Sequence, residues 1–253
     1  MKRLVTFLLV LVVLVSCKED KKENTEPATT TETVEPRKIE DVLAFENLLK
    51  TDDIDGAEYG NIEFSENGAI FKGDENNPSY INLPLSNLDL GAAFNVSFSY
   101  QTNLEIGSKS QTFIAFADKY SSPSRSIPLY IYSAGKRVTG VYGEKKLWAE
   151  NYDVSLGESK IYYDSYQLSH NEVYFVSVNF TGSQIDVYVN SELYASFPNI
   201  EPHQLQYSKV VLGALPMGEG YTTLFDGVIH GIKMYSSALT EKEIVDVYND
   251  QPY

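Results

Sequence analysis

The hydrophobic pattern divides the chain into three stretches. Leu4 to Ser16 is apolar apart from one Thr and the closing Ser. Residues 18–38 (KEDKKENTEPATTTETVEPRK) reverse this and hold one aliphatic side chain larger than Ala, Val34. From about Val42 onward, short apolar runs recur. Phe94 to Tyr100 (FNVSFSY), Tyr174 to Phe180 (YFVSVNF) and Ile185 to Val189 (IDVYV) alternate with period two. Such alternation of β-branched and aromatic residues predicts strands with one buried face. Thr112 to Phe116, Pro128 to Tyr132 and Val210 to Leu212 are short unbroken apolar runs of strand length. Turn signals separate them at Glu66-Asn67-Gly68, Lys72-Gly73-Asp74, Thr181-Gly182-Ser183 and Gly218-Glu219-Gly220. Two segments read as helical. Ile39 to Leu49 is ambiguous. In Ser237 to Asp250, Thr240 and Glu243 have capping-box spacing, and Ile244, Val247 and Tyr248 share a face. Many short strands and one short helix predict a single all-β sandwich. No unit of 20–50 residues repeats.

The first stretch has the form of a secretory leader. Lys2 and Arg3 precede an apolar core near the usual length of about 7–15 residues, short of the roughly 20 that a spanning helix needs. Its end, Leu14-Val15-Ser16-Cys17, resembles the bacterial lipobox. That resemblance implies cleavage before Cys17, a diacylglyceryl group on its thiol and an acyl chain such as palmitate on the new amino terminus. The other reading is an ordinary leader with an incidental Cys. Cys17 is the only Cys, so the mature chain has no disulfide. About 200 residues are enough for a self-sufficient core.

The second stretch cannot bury enough apolar surface to offset its ordering entropy and reads as a disordered tether. Lys18-Glu19-Asp20 resembles the surface-export signal of lipoproteins in Bacteroidetes-type bacteria. The expected organisation is a leader at 1–16, a lipidated Cys and tether at 17–38, and a folded domain at 39–253. The expected location is the outer membrane, lipid-anchored and facing outward.

Glu172 to Leu193 (EVYFVSVNFTGSQIDVYVNSEL) reads as strand, turn and strand, and in this the folded stretch is similar to the laminin-G-like domains with their "lYvdGel" pattern. Val210-Val211-Leu212-Gly213 matches "lliGg", Phe225 to Tyr235 (FDGVIHGIKMY) matches "F-x-G-x-I-D-D-V-R-I-Y", and Leu239 to Tyr248 matches the closing helix. Asp53-Ile54-Asp55-Gly56, Phe71-Lys72-Gly73 and Tyr80 to Pro84 fit the family's N-terminal signatures. The resemblance covers about residues 42–250 and implies a two-sheet antiparallel jelly roll, concanavalin A-like, with a short C-terminal helix. Gly227, at the start of a strand beside a turn, is expected to permit close backbone approach.

One departure bears on metal binding. Where the family has Asp-Asp, this chain has His230-Gly231. Calcium takes several oxygen ligands, and by analogy Asp53 and Asp55 are the remaining calcium candidates. Their competing reading is as turn residues.

Enzymatic signatures are sparse. Retaining glycosidases need two close carboxylates, and the E-x-D-x-x-E string of the β-glucanase type is absent. So is the Gln-Ile-His of the alginate-lyase type. His170, His203 and His230 show no metal-ligand spacing, and there is no G-x-S-x-G elbow. His230 reads as a packed or edge histidine. A glycan hydrolase or lyase is therefore the third reading.

Sugar sites pair aromatic faces with polar edge groups. Trp148, the only Trp, lies in the polar segment KKLWAENY, and Tyr152, Tyr163 and Tyr166 follow. These four form the candidate platform, with Gln111, Asn151 and Gln167 as candidate edge contacts. Against this, Tyr is a good strand residue that leaves its hydroxyl at the surface. Loss of Lys2 and Arg3 with the leader moves the formal net charge from −15 to −17. That charge disfavours nucleic acids and sulfated glycans. The leading expectation is non-catalytic binding of a glycan; the alternative is an adhesion or assembly module that binds another protein.

Overall fold

The computed structural model describes residues 37–83, 88, 90–91, 93–104, 110–117, 129–134, 137–142, 169, 171–181, 184–198, 207, 209–217 and 220–251. Arg37–Tyr253 form one compact unit. A 3-10 turn at Ile39–Val42 leads into β1 (Leu43–Asn47). Four short strands follow: β2 (Glu58–Tyr59), β3 (Glu63–Ser65), β4 (Gly68–Phe71) and β5 (Ile81–Leu83). The longer strands are β6 (Phe94–Thr102), β7 (Gln111–Ala117), β8 (Leu129–Ala134), β9 (Arg137–Tyr142), β10 (Val173–Phe180), β11 (Gln184–Val189) and β12 (Glu192–Pro198). Then come β13 (Lys209–Leu212), β14 (Leu215–Met217), β15 (Gly220–Thr222), β16 (Gly227–Tyr235) and helix α1 (Glu241–Asn249).

The strands build two antiparallel sheets face to face. One has the order β12-β11-β10-β6-β16-β4-β3, and β1 shares the edge of β16 with β4. The other has the order β2-β5-β13-β7-β8-β9. The hairpin β14–β15 forms a small ribbon of its own. The molecule is thus the antiparallel sandwich with a short C-terminal helix that the alternation predicts.

Pleating puts alternate residues of the long strands inside. Phe94, Val96, Phe98 and Tyr100 of β6, with Tyr174, Val176, Val178 and Phe180 of β10, enter one core cluster. They face Ile81, Phe113, Ile114, Phe116, Val210 and Leu212 of the second sheet. Phe94 stacks on Phe180 with ring centroids 4.2 Å apart. Phe225 meets Phe71, Tyr100 and Phe113 edge-on at 5.8, 6.1 and 5.3 Å.

A bulge in β16 keeps this scheme in phase. Ile229 and Ile232 are both buried in the core, although three positions apart they would fall on opposite faces of a regular strand. The pairing with β6 shifts register between Ile229 and Gly231. This extra residue restores the inward phase.

The outer face of the larger sheet is half polar and half apolar. Phe175, Tyr188 and Tyr235 form an apolar floor for Leu239, Ile244 and Val247, so α1 packs across the sheet. Beside it, Ser97 donates to Asn95 Oδ1 at 2.7 Å, and the Asn95 amide donates to Ser177 Oγ at 2.8 Å. Asn179 clasps the loop before the helix: its amide donates to the Leu239 carbonyl at 2.9 Å, and its carbonyl accepts the Leu239 N–H at 2.8 Å. An apolar substitute strands two buried backbone groups. Asn179→Leu is therefore expected to lower unfolding stability by about 3 kcal/mol in urea denaturation; a loss below roughly half of that would show the clasp to be dispensable.

The helix start is capped twice. Thr240 and Glu243 form a reciprocal capping box. Glu243 also takes both arms of Arg37, at 2.8 and 2.7 Å. Arg37 further donates to Ser237 Oγ at 2.6 Å and to the Ala238 carbonyl at 2.7 Å. This hydrogen-bonded guanidinium holds the Glu243 carboxyl down at about 2, against the opposing effect of burial. The chain therefore enters the domain fastened to the start of its last helix.

Candidate functional site

The sandwich has two ends. The entry end carries Arg37, Tyr235 and the start of β6; the far end carries the start of β16 and the end of β6. Gly227 opens β16 with φ +151°, and a Cβ there would lie 2.0 Å from the Gln101 carbonyl oxygen. That closeness lets one short turn tie together the strand ends. The Asp226 carbonyl accepts from Asn103 N at 3.0 Å and from Thr102 Oγ1 at 3.2 Å. The Asp226 carboxylate accepts from the Asn103 amide at 3.0 Å.

Gln111 belongs to this far-end network. It is 5% exposed. Its carbonyl accepts the Asp226 N–H at 3.0 Å, and its amide donates to Thr102 Oγ1 at 3.1 Å. The sequence suggested Gln111 as an edge contact for a sugar; its polar atoms instead hold the turn together.

Asp53 and Asp55 are exposed. Ala57 N–H donates to the Ile54 carbonyl at 3.1 Å, and Gly56 has φ +70°, so Asp55 occupies the second position of a tight turn with glycine third. Ile54 N–H donates to the Tyr59 hydroxyl at 3.3 Å. Burial raises the Tyr59 phenol, and the Asp52 and Asp53 charges add to that. Among the described residues, no group of three or more His, Cys, Asp and Glu could hold a metal ion. The turn thus offers two exposed carboxylates, short of the six to eight oxygen ligands that calcium takes.

His230 is buried in the β16 bulge, with Nδ1 2.5 Å from the Asn67 carbonyl. Burial lowers its pKa, so at neutral pH the ring is uncharged and Nδ1 carries the proton donated to Asn67. This is a packed histidine bound to backbone, as the sequence suggested.

An aromatic pair that the sequence did not single out lies outside the smaller sheet. Tyr80 and Tyr221 stack at 4.0 Å with their rings 22° apart, both partly exposed. The Asn82 amide donates to the Tyr221 hydroxyl at 2.9 Å and to the Glu58 carboxylate at 3.1 Å. Burial pushes the Tyr221 phenol up to about 12, so it is protonated and able to donate throughout the physiological range. Aromatic surface beside amide, carboxylate and hydroxyl groups is the chemistry of a sugar contact. The one local hint in the sequence is that Tyr221 directly follows Gly220 in a hairpin.

Cys17, Trp148, Tyr152, Tyr163 and Tyr166 lie outside the described residues. The four aromatic candidates belong to the connection between β9 and β10.

The family model of the concanavalin A-like lectin/glucanases superfamily matches residues 75–245. No curated protein sequence matches. Among solved structures, the chain is similar to Domain 4 of AbnA, a GH43 extracellular arabinanase from Geobacillus stearothermophilus, in complex with arabinotriose. That likeness has 14% identity and a TM-score of 0.54, and covers 82% of this chain and 98% of that one. It is also similar to the receptor binding domain of botulinum neurotoxin C/D mosaic serotype, at 14% identity and TM-score 0.56, over 84% of this chain and 52% of that one. The binding domain of botulinum neurotoxin DC in complex with SialylT matches at 11% identity and TM-score 0.57, over 85% and 53%. The chain spans about half the length of these toxin domains. At such identities the likeness is one of fold.

Proposed function

Because this chain belongs to the concanavalin A-like lectin/glucanases superfamily, we propose that it is a non-catalytic glycan-binding protein, held by lipid on Cys17 at the outer membrane and facing outward. The observation that carries this reading is the arabinotriose-bound domain, whose sandwich corresponds to this one over 98% of its length. There the whole of the matched chain is one domain of a larger arabinanase. A sandwich on a polar tether suits the same task at a cell surface.

The ligand is a neutral glycan. A mature net charge of −17 repels sulfated or phosphorylated polymers and nucleic acids. Trp148, Tyr152, Tyr163 and Tyr166 form the platform of this proposal, and the Tyr80–Tyr221 pair with Asn82 is a second aromatic surface of suitable chemistry.

The test is a glycan array probed with residues 18–253, with and without calcium. That span keeps Arg37, which fastens the last helix. Trp148→Ala is expected to weaken binding to any glycan hit at least about fivefold, since stacking on one aromatic is worth some 1–3 kcal/mol by analogy with base stacking. Unchanged affinity in that variant removes Trp148 from the site and turns attention to Tyr221. Dependence on calcium brings Asp53 back as a ligand. Failure to bind any glycan sets the reading aside.

A further inference from the structure

The outer face of the smaller sheet carries a cluster whose parts are held in place by the fold itself. Glu58 lies opposite Asn82 in the β2–β5 pairing, so both side chains leave the sheet on the same side. Val211 lies opposite Asn82 on β13. With Ala115, Ala214 and Leu224 it forms a small apolar cluster against which Tyr80, Leu215 and Tyr221 pack. The β14–β15 hairpin thus folds over this face and brings the Tyr221 hydroxyl to Asn82, 2.9 Å from its amide nitrogen. Tyr80, two residues before Asn82, leaves the chain on the same side. Its ring is held by the stack on Tyr221 and, along one edge, by Gly60, where a Cβ would come within 2.6 Å of Tyr80 Cδ1.

The polar end of the cluster is an acceptor in need of donors. Asn82 is 6% exposed. Its amide is committed to Glu58 Oε2 and Tyr221, and its carbonyl lies 3.2 Å from the same Tyr221 hydroxyl. Glu58 is exposed, and its other oxygen has no partner among the described residues. Glu46, Glu63, Glu243, Asp246 and Asp250 each hold a lysine or arginine; among the described residues no cation pairs with Glu58. An ionised carboxylate accepts at both oxygens and donates nothing. Burial, with the Glu58 charge adding to it, keeps the Tyr221 phenol protonated, so no second negative charge develops beside Glu58.

We propose that this cluster binds an uncharged sugar ring through two neighbouring free hydroxyls, both donating to Glu58, with the C–H surface of the ring against the exposed parts of Tyr80 and Tyr221. The inference rests on the glycan reading and deepens it, because it assigns a contact to the hairpin side of the smaller sheet and sets what that contact selects. Uronate, sulfate or phosphate groups bring like charge to Glu58 and are repelled. A ring whose hydroxyls are methylated covers the carboxylate without giving it a donor, which is costly. Tyr80, Tyr221 and Asn82 are already fixed by their mutual contacts, so they lose little rotamer freedom when the sugar arrives.

The probes are xylotriose, cellotriose, mannotriose and any hit from the array, titrated calorimetrically into residues 18–253. The tightest of them is then tried in per-O-methylated and O-sulfated form, and both forms are expected to bind at least about tenfold more weakly. Glu58→Gln keeps an oxygen for the Asn82 amide but exchanges a charged acceptor for a donor. It is expected to weaken the unmodified sugar at least about fivefold without moving the melting temperature. Tyr80→Ala is expected to weaken it by a similar factor, whereas Glu66→Gln, on the β3–β4 turn, leaves it unchanged. If Tyr80→Ala melts early, Glu58→Gln and the modified sugars carry the test. A sugar that binds but ignores Glu58→Gln, or that binds equally well when methylated or sulfated, overturns this site and leaves the glycan reading standing. If neither the three trisaccharides nor any array glycan binds, the site and the glycan reading fall together.

Discussion

Gly227→Ala is expected to leave the domain largely unfolded at physiological temperature. The new methyl group would sit 2.0 Å from the Gln101 carbonyl oxygen, 2.9 Å from Phe225 Cζ and 2.9 Å from Thr102 Cα. Two of these three neighbours are backbone atoms of β6 at the middle of the larger sheet, and the third belongs to a core ring packed against Phe71, Tyr100 and Phe113. None can yield without moving what it supports. The φ of +151° adds a conformational cost of about 1–3 kcal/mol for any residue with a Cβ, and overpacking adds about 1–3 kcal/mol more. At their upper end these reach the low end of the total stability of an ordinary domain, about 5–15 kcal/mol. Gly91→Ala is the matched control. It too has positive φ, +65°, but nothing lies within 4 Å of the added methyl, so only the left-handed backbone cost of about 1–2 kcal/mol applies. Urea unfolding followed by circular dichroism separates the two. Equal effects at both glycines would mean that the steric contact is relieved by a small backbone shift.

The other large effect is one of location. Cys17→Ala is expected to move the chain from the envelope fraction to soluble or unprocessed forms and to abolish palmitate labelling. One acyl chain holds a protein to a bilayer only marginally, whereas the two or three that a lipobox cysteine carries give stable anchoring. Cys17 is the sole thiol, so no other cysteine can replace it. Retention of label and membrane association in the variant would refute the lipoprotein reading, whatever the domain binds.

Periodicity made most of the sandwich legible. Alternation in FNVSFSY and YFVSVNF became two adjacent strands in register, Phe94 opposite Phe180 and Tyr100 opposite Tyr174. The Thr240–Glu243 spacing became a capping box, and the position of Gly227 told of the close approach. Ile39 to Leu49 was ambiguous because a 3-10 turn runs straight into a strand whose half-buried Leu43, Phe45 and Asn47 alternate over only five residues. Bulges hide from period counting by their nature, since one extra residue reverses the phase; β16 reads as regular until His230 is set aside. The candidate site was less legible. Gln111 looks like any polar strand end, and only the turn from β16 shows that its amide is occupied. The Tyr80–Tyr221 stack joins residues far apart in sequence, as does the Arg37–Glu243 pair. No local pattern encodes such contacts.

The route by which the chain enters the domain has a mechanical consequence. Leu43 pairs with Tyr235 at the entry end, and Asn47 pairs with Ile232 further in. Tension arriving through residue 37 therefore pulls β1 lengthwise along β16. Its ladder bonds are loaded together in shear and not peeled one at a time. The Arg37 fork must give way first, and it hands the load to the head of α1. A domain gripping an immobile polymer in flowing liquid would thus meet drag at an attachment loaded in shear, and a pull that unzips other folds from a terminus would here be spread along β16.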